Sequence, residues 1–244
     1  QSYYGTCKSC KQHNTFYDWC QTCDPKTITQ GWSNSVFVDD IVKNCIKEFQ
    51  SKAIMHDDVI EWIPFAKLDK IEKIGEGGFG SVYSAIWLDG IRVTKYNNNK
   101  WVRSRENPSK VALKTLSNPH DLSKCLKEFK NHTQCRLMGS ELAIYGLTKS
   151  TKKIEDLEGG VYLMVLQFAD SGSLNKFLEN KFKELTWERK LSQLIDISND
   201  LVKIHKAGYT HSDFHSGNIL QNKIDGSIFS YIADLGLSKK IEEH

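Results

Sequence analysis

Apolar residues recur at steps of three and four through Val36, Phe37, Ile41, Cys45, Ile46 and Phe49, the period of a helix with one buried face. From about Leu68 the pattern changes. The end of one strand is expected at Ile71–Ile74 and a second strand at Ser81–Trp87, on either side of a glycine cluster. Residues 89–109, with Asn97-Asn98-Asn99 and several charges, predict a long exposed hairpin. Val111-Ala112-Leu113-Lys114 predicts a returning strand. Leu122, Cys125, Leu126 and Phe129 mark an amphipathic helix, and Val161–Phe168 a buried strand. Leu191, Leu194, Ile195, Ser198, Leu201, Val202 and His205 form the clearest helical stripe, opened by Thr186 and closed by Gly208. Asp225-Gly226, between Ile219-Leu220 and Ile228–Ile232, predicts a hairpin. Strands come first and helices dominate later, which is an α+β order without an internal repeat.

Composition divides the chain in three: a polar, Cys-rich segment at 1–30, a helical lead-in at 31–66 ending near Trp62-Ile63-Pro64, and a domain at 67–244. With 39% hydrophobic and 26% charged residues and only 4 Pro, the 244 residues exclude collagen-like, low-complexity and wholly disordered classes. A net charge of +3 is too small to imply a nucleic-acid or membrane-surface partner. The longest apolar run, Val161–Leu166, is far too short to span a bilayer, so no membrane partner is expected.

Four of the seven cysteines fall in the first 23 residues, as Cys7-x-x-Cys10 and Cys20-x-x-Cys23 with nine residues between the pairs. Each pair sits in a turn able to aim two thiolates at one ion, and two pairs complete a tetrahedral, closed sulfur site of the structural zinc kind. So short a segment cannot bury enough apolar surface to fold alone, so the metal would supply its stability. Two disulfides or free thiols are the competing reading. Paired cysteines in an odd total point to metal binding in the reducing cytoplasm rather than to a secreted framework. Phe16, Tyr17 and Trp19 could stack bases, but Lys outnumbers Asp only slightly in this segment; a zinc-held interaction knuckle is expected, and nucleic acid is not.

Gly75-Glu76-Gly77-Gly78-Phe79-Gly80-Ser81-Val82 fits G-x-G-x-x-G-x-V. A dinucleotide loop must open a helix, whereas here Phe79, Val82 and Tyr83 are strand formers; the turn is expected to be a strand–turn–strand flap over a triphosphate. Lys114 follows on the next strand, and Glu128 lies fourteen residues on, where it could pair with Lys114. His211-Ser212-Asp213-Phe214-His215-Ser216-Gly217-Asn218 comes next, then Asp234-Leu235-Gly236 sixteen residues later. From about Leu68 onward these elements, in this order, resemble the eukaryotic protein-kinase family. Within it the chain is most similar to the tyrosine-kinase-like branch and to fungal members with a paired-cysteine head.

The resemblance implies a β-rich small lobe, a helical large lobe, and ATP-dependent phosphoryl transfer to protein Ser/Thr hydroxyls. It also implies roles. Asp213 would accept the hydroxyl proton, Lys114 held by Glu128 would reach the phosphates under Gly75, Gly77 and Gly80, and Asn218 and Asp234 would hold magnesium. Ile74, Val82, Ala112 and Leu220 would sandwich adenine, with Leu166 limiting depth and the backbones of Gln167 and Ala169 reading its edge. His215 stands where Ser/Thr enzymes of the family often carry Lys. Ser212 replaces the Arg that usually meets an activation-loop phosphate, and Leu235 replaces Phe. The chain ends ten residues after Asp234. On the family pattern this predicts an amino-terminal part of a kinase domain, with Leu191, Leu194 and Leu201 incompletely covered and little turnover by the 244 residues themselves. The alternative function is a nucleotide-binding scaffold recruited through its cysteine knuckle.

Overall fold

The computed structural model describes residues 3–30, 38–77, 80–116 and 121–241. Val36 and Phe37 of the first helical pattern, and Gly78 and Phe79 of the glycine turn, lie outside the described residues. The chain forms two compact units, residues 1–126 with 144–166, and residues 127–143 with 167–244.

The first unit begins with a head of two cysteine turns followed by α1 (Asp24–Gln30) and α2 (Asp40–Lys52). Among the described residues of the lead-in, the α-helix is α2. Ile41, read as part of the buried stripe, is 49% exposed, and the buried face is Val42, Cys45, Ile46, Phe49 and Gln50. Helix α2 stops at Ala53, which has turned to extended backbone. Gln50 is buried because its Nε2 donates to the Ile60 carbonyl at 2.8 Å. Residues after it form 3-10 turns and a short strand, β1 (Glu61–Trp62), where a helical linker was expected.

Strands β2 (Leu68–Gly77), β3 (Gly80–Trp87), β4 (Arg92–Asn97), β5 (Lys100–Arg105) and β6 (Ser109–Thr115) follow, with β7 (Ile144–Lys149) and β8 (Tyr162–Gln167) further along the chain. The main sheet has the order β1-β7-β8-β6-β3-β2, and β1 joins β7 in parallel. Strands β4 and β5 make the expected exposed hairpin, turned by Asn98 and Asn99 at φ +47° and +60°, a conformation asparagine tolerates. Alternation sorts the sheet's two faces. Tyr83, Ala85, Trp87, Val111, Leu113, Leu163 and Val165 pack into one core with Ile63, Phe65 and Leu68. Val82, Ala112, Lys114 and Leu166 therefore share the opposite face.

Helix α3 (Leu122–Leu137) runs from the first unit into the second. The second unit continues with α4 (Leu174–Lys181), α5 (Trp187–Lys206), β9 (Tyr209–Thr210), β10 (Ile219–Ile224), β11 (Ser227–Ile232) and β12 (Lys239–Lys240). Thr186 caps α5 by accepting from the Arg189 N–H, and Gly208 leaves it at φ +83°. The apolar stripe that identified α5 is largely uncovered, as expected for Leu191 and Leu194, and other residues form its buried face. Leu191, Leu194 and Ile195 are 55–62% exposed, whereas Gln193, Ile197, Asp200 and Ile204 are buried. Polar residues can occupy that face because each is satisfied. The Asp200 carboxylate accepts the Glu141 N–H at 2.9 Å and the Ile232 N–H at 2.8 Å, and Gln193 Nε2 donates to Gln221 Oε1 at 3.2 Å. Strands β10 and β11 form the hairpin expected at Asp225-Gly226, and β9 pairs with β12. Among the described residues no helix is long and apolar enough to cross a membrane.

Candidate active site

In the first unit the glycine segment is flanked by paired strands on both sides, with Gly77 opposite Gly80 and Gly75 opposite Val82. Gly80 has φ +123°, and a Cβ there would lie 2.5 Å from Thr115 Oγ1. That close approach ties the exit of the turn to the strand bearing Lys114. The Ser81 N–H donates to Thr115 Oγ1 at 2.9 Å, and Val82 sits directly across from Lys114. Lys114 is 7% exposed and Leu166 8%. Val82 and Ala112 are half-buried beside them, and Ile74, inside a β-bulge, is 45% exposed. The face thus combines a sunken ammonium with a small apolar surface.

In the second unit the segment after β9 brings three candidate residues together. Asn218 Nδ2 donates to the Asp213 backbone carbonyl at 3.0 Å and to Asp213 Oδ2 at 3.1 Å. His215 Nε2 lies 3.6 Å from the same carboxylate oxygen, and its Nδ1 accepts the Gly217 N–H at 3.0 Å, so the ring proton is on Nε2, facing Asp213. Buried His211 fixes the turn: its Nδ1 accepts the Asp213 N–H at 3.3 Å while Nε2 sits 2.9 Å from the Ala233 carbonyl, which can only accept. Ser212 and Asp234 both take left-handed backbone, at φ +63° and +64°. This is strain of the kind concentrated at functional turns.

Asp234 is tethered through its neighbours. The Leu235 N–H donates to His132 Nε2 on α3 at 3.0 Å, and Asn131 Nδ2 donates to Ser238 Oγ at 2.8 Å. Glu128, one helical turn before His132 and equally buried, has Oε1 3.9 Å from His132 Nε2. A Cβ on Gly236 would meet Asp234 Oδ1 at 3.3 Å and Glu128 Oε2 at 3.5 Å, so the bare glycine lets two acidic side chains crowd one spot. Leu220 and Ala169 pack together with Leu142, Tyr231 and Ala233. The Gln167 N–H goes to the Ala143 carbonyl at 3.0 Å and the Ala169 carbonyl accepts from Gly172, bonds that use neither the Gln167 carbonyl nor the Ala169 N–H.

Residues 68–244 match the protein tyrosine and serine/threonine kinase family. The chain belongs to that family. It is 28% identical over 211 residues to cysteine-rich receptor-like protein kinase 27 of Arabidopsis thaliana, covering 82% of this chain and 28% of that kinase. It is 24% identical over 219 residues to probable serine/threonine-protein kinase gdt2 of Dictyostelium discoideum, covering 88% of this chain and 11% of that protein. With probable serine/threonine-protein kinase pats1, also of Dictyostelium discoideum, it shares 29% over 180 residues, 72% of this chain and 5% of the relative. The chain thus spans less than a third of the length of each of these kinases.

The kinase residues that sequence reasoning missed are His132 and Asn131, which hold the Asp234 segment, and Ser238, which receives it. A single His inside a helix carries no spacing signal. Its position four residues after Glu128 was the available clue.

Ahead of the kinase domain, the four head cysteines place their Sγ atoms within 4.8 Å of one another. Cys10 and Cys20 Sγ are 3.6 Å apart, too far for a disulfide and close to the edge of about 3.8 Å that a zinc–sulfur tetrahedron requires. The backbone at Cys10 and Ser9 draws the Cys7 thiol down to about 6, and the neighbouring Cys10 thiol is the main cause that pushes Cys23 up to about 12. The donor set fits zinc. Trp19, considered as a base-stacking residue, is fully buried with Nε1 donating to the Ala53 carbonyl at 3.0 Å, so it is unavailable to a nucleobase.

Proposed function

We propose that this kinase domain transfers the γ-phosphate of Mg·ATP to Ser/Thr hydroxyls of protein substrates, with a structural zinc in its head and a reducing compartment as its setting. The observation that carries the reading is the double hydrogen bond from Asn218 to Asp213. It holds Asp213 Oδ2, leaving Oδ1 to accept the proton of an incoming hydroxyl, the positioning role phosphoryl transfer demands. The same bond commits the amide nitrogen of Asn218 and leaves its Oδ1, the cation-seeking atom, without a partner among the described residues. Asn218 and Asp234 are therefore the residues that would hold magnesium, which when bound neutralises phosphate charge. Lys114 would contact the phosphates beneath the turn closed by Gly80, and Ile74, Val82, Ala112 and Leu220 would flank adenine. The Gln167 carbonyl and Ala169 N–H are suited to read its edge. Relatives named as serine/threonine kinases, and the imidazolyl N–H of His215 beside Asp213, favour a hydroxyl acceptor of the Ser/Thr type.

The test is transfer of labelled phosphate from Mg·ATP to a generic protein substrate by the full-length gene product, comparing wild type with Asp213→Asn. The substitution keeps the shape and removes the proton acceptor, so the rate should fall by about a hundredfold or more. Equal signals would remove the enzyme assignment.

A further inference from the structure

We propose that the groove between α4, α5 and the β10–β11 hairpin docks an acidic peptide segment carrying bulky apolar side chains. The cavity there measures about 330 Å³ and lies wholly within the second unit. Its floor is apolar: Phe177 and Leu185 are 7% and 9% exposed, and Ile228 is half-buried beside them. Its rim carries Lys181, Arg189 and Lys223, and no carboxylate is found among its described lining residues. All three cations are exposed, and none has an ion pair among the described residues; Lys181 only faces the Phe177 ring, at 5.9 Å. Asp170, which precedes the lining residue Ser171, bonds to groups of the groove wall rather than to a rim ammonium or guanidinium. Its Oδ1 accepts the Ser171 hydroxyl at 2.8 Å and the Lys223 backbone N–H at 2.9 Å.

Three uncompensated cations around one concavity concentrate positive potential there and select an anionic partner. The chemistry of the floor then separates a peptide from a free anion. A small anion is held by converging, desolvated donors, whereas here the charges ride on exposed flexible chains and the cavity between them sets Phe177, Leu185 and Ile228 among Ser and Gln side chains. A segment with Leu or Phe between Asp or Glu uses both parts. Its apolar groups fill the floor, and its carboxylates meet the rim, setting register and capture rate. The groove would thereby recruit a protein partner independently of the phosphoryl-transfer chemistry.

The probe is a short fluorescein-labelled peptide of alternating Glu and Leu, titrated against the whole chain in the absence of nucleotide and followed by polarisation. Saturable binding that weakens with added salt is expected, and Lys181→Glu combined with Arg189→Glu should weaken it about tenfold or more. A Glu and Gly peptide should bind markedly less well. Equal affinity of the double variant, equal binding of the Glu and Gly peptide, or displacement by tripolyphosphate as readily as by unlabelled peptide would each overturn the assignment. Because no nucleotide is present, these outcomes leave the catalytic reading untouched.

Discussion

At the scale of single residues, two histidines carry separate consequences. His132 accepts the buried Leu235 N–H, the bond that pins the residue after Asp234 to α3. His132→Leu keeps the bulk but strands that N–H, at a cost of about 1–3 kcal/mol in stability. As a positioning residue it should do more than destabilise. Half-saturation by Mg²⁺ should rise several-fold in the variant, and His132→Gln, which retains an acceptor, should recover most of it. An unchanged magnesium dependence would reduce His132 to packing. His56 sits buried near the head, with its Nδ1 unpaired and its pKa lowered to about 4 by burial and then by Arg92, Arg103 and Arg105. An unfolded histidine titrates near 6.5. Between these values the unfolded chain holds the extra proton, so stability falls as pH drops from about 6.5 towards 4 and is unaffected by this group above 6.5. Urea midpoints measured across that window should fall in wild type and fall less in His56→Gln. Parallel curves would show that other groups set the slope.

At the scale of elements, the shortest strand has the sharpest requirement. A Cβ on Gly146 would lie 1.9 Å from the Glu61 carbonyl oxygen, so β1 pairs with β7 only because that position is bare. Glu61 in turn receives Arg92 at 2.7 Å and Arg105 at 2.5 Å from the exposed hairpin. Gly146→Ala should displace β1, loosen both arginines, and cost about 3 kcal/mol in the denaturant midpoint. Nucleotide affinity of the folded fraction should hold, since β2 and β3 lie at the other end of the sheet. Full retention of stability would show that β1 is not anchored there. This strand was also invisible in the sequence, because two residues carry no alternation to read. Elements whose signal is local were legible: the hairpins turned by Asn98-Asn99 and Asp225-Gly226, the Thr186 cap, and the strands on either side of the glycine turn with Lys114 on a returning strand. The incomplete cover of Leu191 and Leu194 on α5 was expected, but its buried face was not legible, because hydrophobicity alone cannot anticipate that Gln193 and Asp200 find hydrogen-bond partners inside. The candidate site followed the same division. Asp213 and Asn218 lie five residues apart and were recognised together, whereas His132 acts on Leu235 from more than a hundred residues away.

At the scale of the molecule, the question is what the cysteine head does for the kinase domain behind it. Its attachments within the first unit are specific. Trp19 is fully buried against Ala53 and Val59, Thr15 donates to the Ile54 carbonyl at 2.8 Å, and Gln21 donates to the Lys52 carbonyl at 3.1 Å. Arg103 of the hairpin forks onto Asp24 with two bonds of 2.9 Å, and Tyr17 stacks on Trp101 at 4.1 Å between ring centroids. These contacts require the loops between Cys7 and Cys23 to hold their shape, and beyond Phe16, Tyr17 and Trp19 the loops have little hydrocarbon of their own to do so. A bound zinc would be the constraint that makes the head a clamp on the end of α2 and on the hairpin. None of the head residues belongs to the core packed by Tyr83, Leu113 and Val165, on which the glycine turn and Lys114 are built. Metal removal should therefore separate two properties. Chelation of protein purified with zinc should release one ion per chain, shift tryptophan emission to the red as Trp19 meets water, and lower the melting temperature by several degrees. Mg·ATP binding by the remaining fold should persist. Loss of nucleotide binding in step with zinc would make the head part of the active structure, and protein purified with zinc that holds no metal would leave the four thiols without the role argued for them.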